Sequence, residues 1–247
     1  MALKWFRSFA DAEDVTLAKG SVLDLTVDST WMACVRSNCS ARNMSYISLL
    51  NSGAYSGQYG VITSTPRFIM YASASSGAQM VSSSVVLTEA DGWCVIAITK
   101  VTGSTLPRMS IYKAGAWTHA NATSAAGLSF GAWTTPVIGN TAATSKCTAD
   151  IAWQGLWNSV LSDANIETSI VGGFISDTAV QALAPSALWY LNQWNIGTPV
   201  PDWTGNGANE ASHTGTRAVY SDIPLYAAND PTFSDTPAVP AGRGASW

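Results

Sequence analysis

One short segment has the residue spacing of a serine nucleophile. Residues 127–131 read G-L-S-F-G and fit the pattern G-x-S-x-G. In hydrolases this pattern works on a sharp turn between a buried strand and a helix, which exposes the serine hydroxyl. The flanking residues, A-T-S-A-A before and A-W-T-T-P after, predict neither element. We therefore interpret the match as accidental.

Histidine and cysteine are the other side chains that could bind a metal or act as nucleophiles. His119 and His213 stand alone, without ligand spacing, and we expect both in solvated loops. No pair of cysteines has C-x-x-C spacing, and two of the four lie within apolar runs. We expect reduced thiols at all four positions, which are Cys34, Cys39, Cys94 and Cys147.

Tryptophan is unusually frequent, with 11 residues in a chain of 247. Four lie in strand-like segments, where we expect them in the core: Trp31, Trp93, Trp153 and Trp157. Four others fall in loop-like segments: Trp117, Trp133, Trp194 and Trp203. For this second group two roles stay open, a platform on which a sugar ring stacks and a surface for subunit packing.

Short strands are the elements that must position these side chains. Apolar and polar residues alternate over segments separated by Gly, Ser, Asn and Pro clusters, which is typical of an all-β sandwich. The predicted strands are 31–36, 46–50, 67–72, 93–100, 108–113, 136–139, 150–157 and 188–191. Both faces of 93–100 are largely apolar, which predicts a central strand between two layers.

Helices are few and short in this prediction. Ser162 can cap a helix that begins at Asp163, and Gly172 and Gly173 can end it. A weaker helical segment covers 178–184, before Pro185.

The end of the chain differs in composition from the rest. From Ala227 onward, Pro and Gly leave little apolar material to bury. We therefore predict a domain at 1–226 and an extended C-terminal arm at 227–247. Phe233 and Trp247 are the arm's large apolar groups and the natural anchors on another chain.

Charge and hydropathy exclude two classes of partner. Charged residues make up 11% of the chain, and the net charge is -4. No basic stripe is available for a phosphate backbone, so we expect no nucleic acid partner. No apolar run approaches about 18 residues, so we expect no membrane span. The first residues lack the apolar core of a signal peptide, and we expect folding in a cytoplasm.

Several motifs follow one another in a recognisable order. Ser8, Asp14 and the segment 23–25 precede the first clear strand, D-G-W at 91–93 leads into V-I-A-I-T, and 110–115 reads S-I-Y-K-A-G. I-G-N at 138–140 is followed by D-I-A-W-Q-G-L-W-N-S-V-L-S-D-A-N-I at 150–166. This order resembles the laminin-G-like, concanavalin A-like lectin/glucanase domain over about residues 6–226. The segment 202–207 is similar to that family's D-x-S-G-N-G turn.

The resemblance implies a fold and a set of roles. The fold is an all-β, two-sheet antiparallel jelly-roll sandwich, here with one or two short helices and the C-terminal arm. Common roles of the family are carbohydrate binding, adhesion and structural display, and members without signal peptides occur in bacteriophage virion proteins. The chain departs from the family at Asn165, where the family has Glu, and at Ala114, where it has Asn.

The resemblance also bears on catalysis and metal binding. Glucanase members use two glutamates spaced E-x-D-x-x-E. Glu89 and Asp91 match the start of that pattern, but Cys94 stands where the second glutamate would be. We therefore expect no enzymatic activity. Some relatives bind calcium through Asp side chains and loop carbonyls, and the candidates here are Asp14, Asn140 and Asp150. Asp150 could equally be a strand-edge residue that is hydrogen-bonded to a turn. We expect no other cofactor.

These inferences combine into one predicted function and one alternative. The prediction is a non-enzymatic structural virion protein of a bacteriophage, a capsid decoration or accessory surface protein assembled in the host cytoplasm. Its partners would be other virion proteins, such as the major capsid protein, and further copies of itself. The alternative is a carbohydrate-binding adhesin, a phage tail or host-surface attachment module that binds a cell-surface glycan.

Overall fold

The computed structural model describes residues 5–9, 14–19, 28–37, 44–51, 54–62, 67–71, 85, 87–101, 107–122, 134–139, 149–191, 199–200, 202–214 and 218–221. Most of these residues are in strands, as the alternating pattern predicts. Among them, no helix has the length and apolar character needed to cross a bilayer.

The strands of the described residues are, in chain order, β1 (Trp5–Phe9), β2 (Asp14–Leu17), β3 (Ser29–Ser37), β4 (Met44–Asn51), β5 (Ala54–Ile62), β6 (Arg67–Tyr71), β7 (Trp93–Lys100), β8 (Arg108–Lys113), β9 (Ala116–Asn121), β10 (Thr135–Gly139), β11 (Ala149–Trp157), β12 (Ile170–Val171), β13 (Phe174–Ile175), β14 (Ala187–Tyr190), β15 (Glu210–Thr214) and β16 (Ala218–Ser221). The helices are α1 (Asp163–Glu167) and α2 (Asp177–Ala182), and Glu89–Asp91 forms a single 3₁₀ turn. Every predicted strand is present, and β7 and β8 have the predicted bounds.

Two antiparallel sheets make up the body of the molecule. Sheet A has the order β16-β1-β11-β3-β7-β8-β9, and β14 pairs with the second half of β11. Sheet B has the order β15-β2-β10-β4-β5-β6. Strands β12 and β13 form a separate hairpin. The predicted two-sheet antiparallel sandwich is therefore confirmed.

A hydrophobic core lies between the two sheets. Sheet B contributes Val15, Ile47 and Ile138, and sheet A contributes residues such as Trp31 and Ile96, all fully buried in one cluster. Burial of each such side chain stabilises the fold by about 1.5 to 3 kcal/mol. The cluster joins residues of both sheets, which packs the sheets face to face.

The outer face of sheet A carries a second core. Residues Trp93, Val95 and Ala97 of β7 point away from sheet B and belong to a separate buried cluster. Residues 158–186, here called the cover segment, supply the other side of this cluster through Ile166, Ile175 and other apolar residues. The prediction that β7 lies between two layers is confirmed, and its second layer is the cover segment.

A bulge in β11 decides which tryptophans enter this outer core. Ile151 pairs with Val35 and Trp153 with Cys34, which leaves Ala152 as an extra residue. The extra residue shifts the alternation, so Trp153 and the later Trp157 both face outward. All four tryptophans predicted in the core are buried, Trp31 between the two sheets and Trp93, Trp153 and Trp157 in the outer core.

The two described cysteines lie on neighbouring strands but on opposite faces of sheet A. Cys34 belongs to the outer core and Cys94 to the core between the sheets, and both thiols are free. Burial raises the pKa of the Cys94 thiol to about 12 and raises that of Cys34 well above its ordinary value. The prediction of reduced core thiols is confirmed for these two; Cys39 and Cys147 lie outside the described residues.

Local signals define the helices of the cover segment. The Ser162 side chain accepts a hydrogen bond from the Asn165 amide at 3.2 Å, which confirms the predicted cap of α1. The predicted end of this helix is wrong, because Gly172 and Gly173 form the turn of the β12–β13 hairpin, with φ of 60° and 89°. Helix α2 begins at Asp177, one residue before the predicted segment.

Candidate binding site on strand β9

Strand β9 brings a histidine and a tryptophan to the edge of sheet A. Trp117 and His119 were predicted in loops, and both predictions are wrong because the residues lie in β9. The loop prediction for His213 is also wrong, because His213 lies in β15. The pattern W-T-H-A-N has no apolar alternation that would indicate a strand. Residues 116–121 form a strand because they pair with β8, to which the tight turn at Ala114 and Gly115 joins them.

The register of this hairpin places three pairs on the outer face of sheet A. Tyr112 lies opposite Trp117, Ser110 opposite His119, and Arg108 opposite Asn121. The Trp117 ring lies 5.4 Å from the Tyr112 ring, centroid to centroid. It also stacks on the His119 ring at 5.7 Å, with the planes 13° apart.

Helix α1 adds two carboxylates to this edge. The Nε atom of Arg108 donates to Asp163 Oδ1 at 3.0 Å, and its Nη2 atom completes the ion pair. The Nε2 atom of His119 lies 2.9 Å from Glu167 Oε1. Its Nδ1 atom lies 2.8 Å from Ser110 Oγ and 3.5 Å from Asp163 Oδ1.

The ion pair keeps both of its groups charged. The hydrogen bonds from Arg108 hold the pKa of the Asp163 carboxyl below its ordinary value. The same bonds raise the pKa of the Arg108 guanidinium. This corner of the molecule therefore presents fixed positive and negative groups at neutral pH.

These side chains form what we call the β9 site, which consists of Arg108, Trp117, His119, Asn121, Asp163 and Glu167. About half of the Glu167 side chain and a third of those of Arg108 and Asp163 are exposed. Planar polar groups beside an aromatic ring provide paired donors and acceptors together with an apolar face. The arrangement suits a polyhydroxylated ligand.

Ser110, His119 and Glu167 also have the composition of an acyl-transfer triad. The geometry differs from that of a triad, because the serine is bonded to Nδ1 and the acid to Nε2. Ser110 is fully buried, so its hydroxyl does not reach solvent. The chain of bonds instead ties α1 to β8 and β9.

Trp203 lies on the same outer face of sheet A as Trp117 but far from it along the strand order. The buried Asp202 carboxylate accepts hydrogen bonds from the amides of Leu188, Thr204 and Ala208, which fastens the predicted turn to β14. This turn sets the Trp203 ring edge-on to Tyr190, at 5.3 Å and 89°. Strands β11, β3, β7 and β8 separate β14 from β9, so the two tryptophans do not share one platform.

The structure does not bring Asp14 and Asp150 together. Val15 and Ile151 face the core between the sheets, so their neighbours Asp14 and Asp150 lie on the outer faces of different sheets. Asp150 accepts from Arg36 Nε at 2.7 Å. Among the described residues, no three His, Cys, Asp or Glu side chains are grouped to hold a metal.

The incomplete carboxylate pattern has a structural role. Asp91 accepts a hydrogen bond from the Thr88 amide at 2.6 Å and pairs with Lys113 Nζ at 3.0 Å. Cys94, where a second glutamate would stand, faces the core between the sheets. Asp91 therefore stabilises the turn before β7.

Other residues singled out in the sequence lie outside the described part of the chain. They are Trp133, Trp194, Asn140, Phe233, Trp247 and the segment 127–131.

The sequence reasoning missed most of the β9 site. Arg108 and Asn121 lie opposite each other at the open end of the β8–β9 hairpin, and the S-I-Y-K-A-G turn motif could have paired them. Asp163 and Glu167 were noted only as helix residues. Asp163 lies 55 residues from Arg108 and Glu167 lies 48 residues from His119, so no local signal indicates either contact.

Comparison with known proteins supports the fold. No family model matches the chain, and no curated protein matches its sequence. A candidate carbohydrate-binding protein from Bacteroides ovatus superposes with a TM-score of 0.58 and 10% identity, over 92% of this chain and 62% of that one. This chain thus spans less than two thirds of that protein.

Two further structures are similar over parts of the chain. The heptameric SAP-like pentraxin from Limulus polyphemus gives a TM-score of 0.49 and 12% identity, over 89% of this chain and 95% of that one. Domains LG4-5 of the mouse laminin α1 chain give 0.43 and 10%, over 64% and 43%. With its two antiparallel sheets, the chain is a β-sandwich whose fold is similar to that of the Bacteroides ovatus protein.

Proposed function

We propose that the chain is a non-enzymatic binding module that recognises a saccharide at the β9 site. The observation that carries the proposal is the grouping of a Trp117–His119 ring stack with partly exposed Arg108, Asp163 and Glu167 at one sheet edge. Neighbouring sugar hydroxyls act as donor and acceptor at once, and carboxylates and guanidinium groups bind them in pairs.

The fold and the missing carboxylate pair support this function. The Bacteroides ovatus protein that superposes on 92% of the chain is named for carbohydrate binding. At the Glu89–Asp91 turn, the second carboxylate required for two-carboxylate hydrolysis is replaced by buried Cys94.

The test is binding of the full chain to a glycan array, followed by calorimetry with the saccharides that bind. Glu167→Gln and Asn121→Ala should each weaken binding about tenfold, because a hydrogen bond to a charged or amide group contributes about 1 to 3 kcal/mol. Ser212→Ala, at an exposed position on sheet B, is the matched control and should bind as the wild type. Absence of any saccharide ligand, or unchanged affinity of both site variants, would refute the proposal.

We propose assembly into a virion as a second candidate function. The hairpin of β12 and β13 ends in apolar side chains that face solvent, with Val171 61% and Phe174 42% exposed. Exposed apolar groups of this kind favour contact with another protein.

This second function predicts where the chain is found. An antibody against the chain should detect it in the density-gradient fractions of a cell lysate that hold DNA-containing particles. The double variant Val171→Ser, Phe174→Ser should reduce the amount of the chain found in these fractions. Val160→Ser, at another exposed valine, is the control. Detection only in particle-free fractions would contradict a virion role.

A further inference from the structure

Strand β9 is the last strand in the order of sheet A. In the part of the chain that the structure describes, β8 is the one strand that pairs with it. The Ala122 amide donates to the Pro107 carbonyl at 2.9 Å, directly beyond the end of the hairpin. Hydrogen-bonded pairs alternate along an antiparallel ladder. Trp117, His119 and Asn121 therefore direct their backbone N–H and C=O groups away from β8.

This edge lacks the features that usually protect an open edge. Proteins block edge strands with short length, charged residues, proline or bulges. The six residues of β9 include no Asp, Glu, Lys, Arg or Pro, and its pairing with β8 shows no register shift. At the other ends of the two strand orders, β15 carries Glu210 and a register shift, β16 has four residues, and β6 begins at Arg67.

We propose that β9 pairs with β9 of a second copy of this chain, antiparallel and with Thr118 on the two-fold axis. Trp117 then lies opposite the partner's His119, and Ala116 opposite the partner's Ala120. Each Trp117–His119 pair would use the backbone groups that point away from β8, so the outward-facing hydrogen-bonding groups of both edges meet.

The side chains favour this register over a shift by one residue. Placing His119 on the axis would set two imidazoles against each other instead of an indole against an imidazole. The register centred on Thr118 places an indole beside an imidazole, a combination that already stacks within β9. No charged residue of β9 opposes the approach of the second copy.

The pairing joins two copies of sheet A into one continuous sheet. Because the two-fold axis is perpendicular to the sheet, both β9 sites lie on the same face. A ligand with repeated units could then engage two sites, which raises the overall affinity without new contacts. The pairing itself requires no saccharide.

Charge substitutions at Thr118 test the proposal by sedimentation equilibrium of the full chain. The wild type should be a dimer. Thr118→Lys and Thr118→Glu should each weaken dimerisation at least about tenfold, because like charges meet on the axis. An equal mixture of the two variants should restore the dimer, because opposite charges then meet. Ser212→Lys, on the edge strand β15, should dimerise as the wild type does.

Melting temperatures show whether each variant is folded, and the restored mixture excludes a simple folding defect. A wild-type monomer at about 100 μM, a dimer that persists in Thr118→Lys, or failure of the mixture to associate would each overturn the proposal. In a Cys39→Ser, Cys147→Ser background, Thr118→Cys should form a disulfide-linked dimer on oxidation. Ala116→Cys alone should not, because the proposed register sets residue 116 opposite residue 120.

Discussion

Single residues carry backbone strain and close contacts that the two sheets impose. Ala114 occupies the first position of the β8–β9 turn with φ of 50°, a conformation that favours Asn or Gly. This is the position at which the resembling family has Asn. The Asn side chain that could contact a sugar is absent at this position, but the backbone keeps the left-handed conformation that favours Asn.

Ala114→Asn is expected to stabilise the protein by about 0.5 to 1 kcal/mol, because Asn tolerates the left-handed conformation better than Ala. For a chain of this size the melting temperature should rise by about 2 °C. Ala116→Asn, in extended backbone two residues later, is the control and should give no increase. An unchanged or lower melting temperature for Ala114→Asn would show that the turn is not strained.

Gly155→Ala is expected to destabilise the protein by about 1 to 3 kcal/mol. A Cβ atom at this position would lie 2.6 Å from the Trp157 ring, which folds back over β11. The ring is fixed, because its N–H donates to the Leu183 carbonyl at 2.9 Å. Urea unfolding measures the loss in free energy of unfolding. In the Gly155→Ala, Trp157→Leu double variant, this loss should be smaller than the sum of the two single losses. Additive losses would argue against a clash with this ring.

The cover segment shows how an element depends on the sheet beneath it. Helix α1 has five residues and would not form alone in water. Ile166 anchors it in the outer core, and Asp163 and Glu167 tie it to β8 and β9. The two ends of the segment are also tied together, since the Asn158 amide donates to Ser186 Oγ at 3.0 Å.

Asp163→Asn should remove a pH-dependent part of the stability. Hydrogen bonds from Arg108 lower the pKa of the folded-state Asp163 carboxyl, so this pair stabilises the protein above about pH 4. The contribution is lost as the pH falls through the lowered pKa. Wild type and variant should therefore differ in melting temperature at pH 7 and converge in acid. A difference that stays constant from pH 7 to pH 3 would contradict this assignment.

At the scale of the whole molecule, the division into a domain and an arm remains a prediction. The last described strand, β16, ends at Ser221 and completes one edge of sheet A. Every described apolar residue of the two cores precedes that point. The described parts of both cores therefore lie within residues 1–226.

Deletion of residues 228–247 should leave the melting temperature unchanged within about 2 °C, because no described core residue is removed. Calorimetry of the full and shortened chains measures this. Deletion from residue 218, which removes β16, is the comparison and should lower the melting temperature, because β1 loses a paired strand. If the shorter deletion unfolded the protein, residues 227–247 would belong to the domain.

The sequence by itself determined the features whose signals are local. The two apolar faces of β7 predicted a strand between layers, Ser162 predicted the start of α1, and the alternation predicted β8 with its bounds. Each of these depends on residues within a few positions of one another. Periodicity and capping can therefore be read without knowledge of the partner that the element contacts.

Only the tertiary structure decided what depends on contacts between distant residues. Strand β9 lacks an apolar pattern because it is an edge strand, and its pairing with β8 makes it a strand. The meeting of Arg108 with Asp163, and of His119 with Glu167, requires α1 to pack across sheet A. The bulge at Ala152 reverses the faces of β11 after Ile151. Such contacts are set by how sheets and helices bury their apolar faces together, which no local pattern encodes.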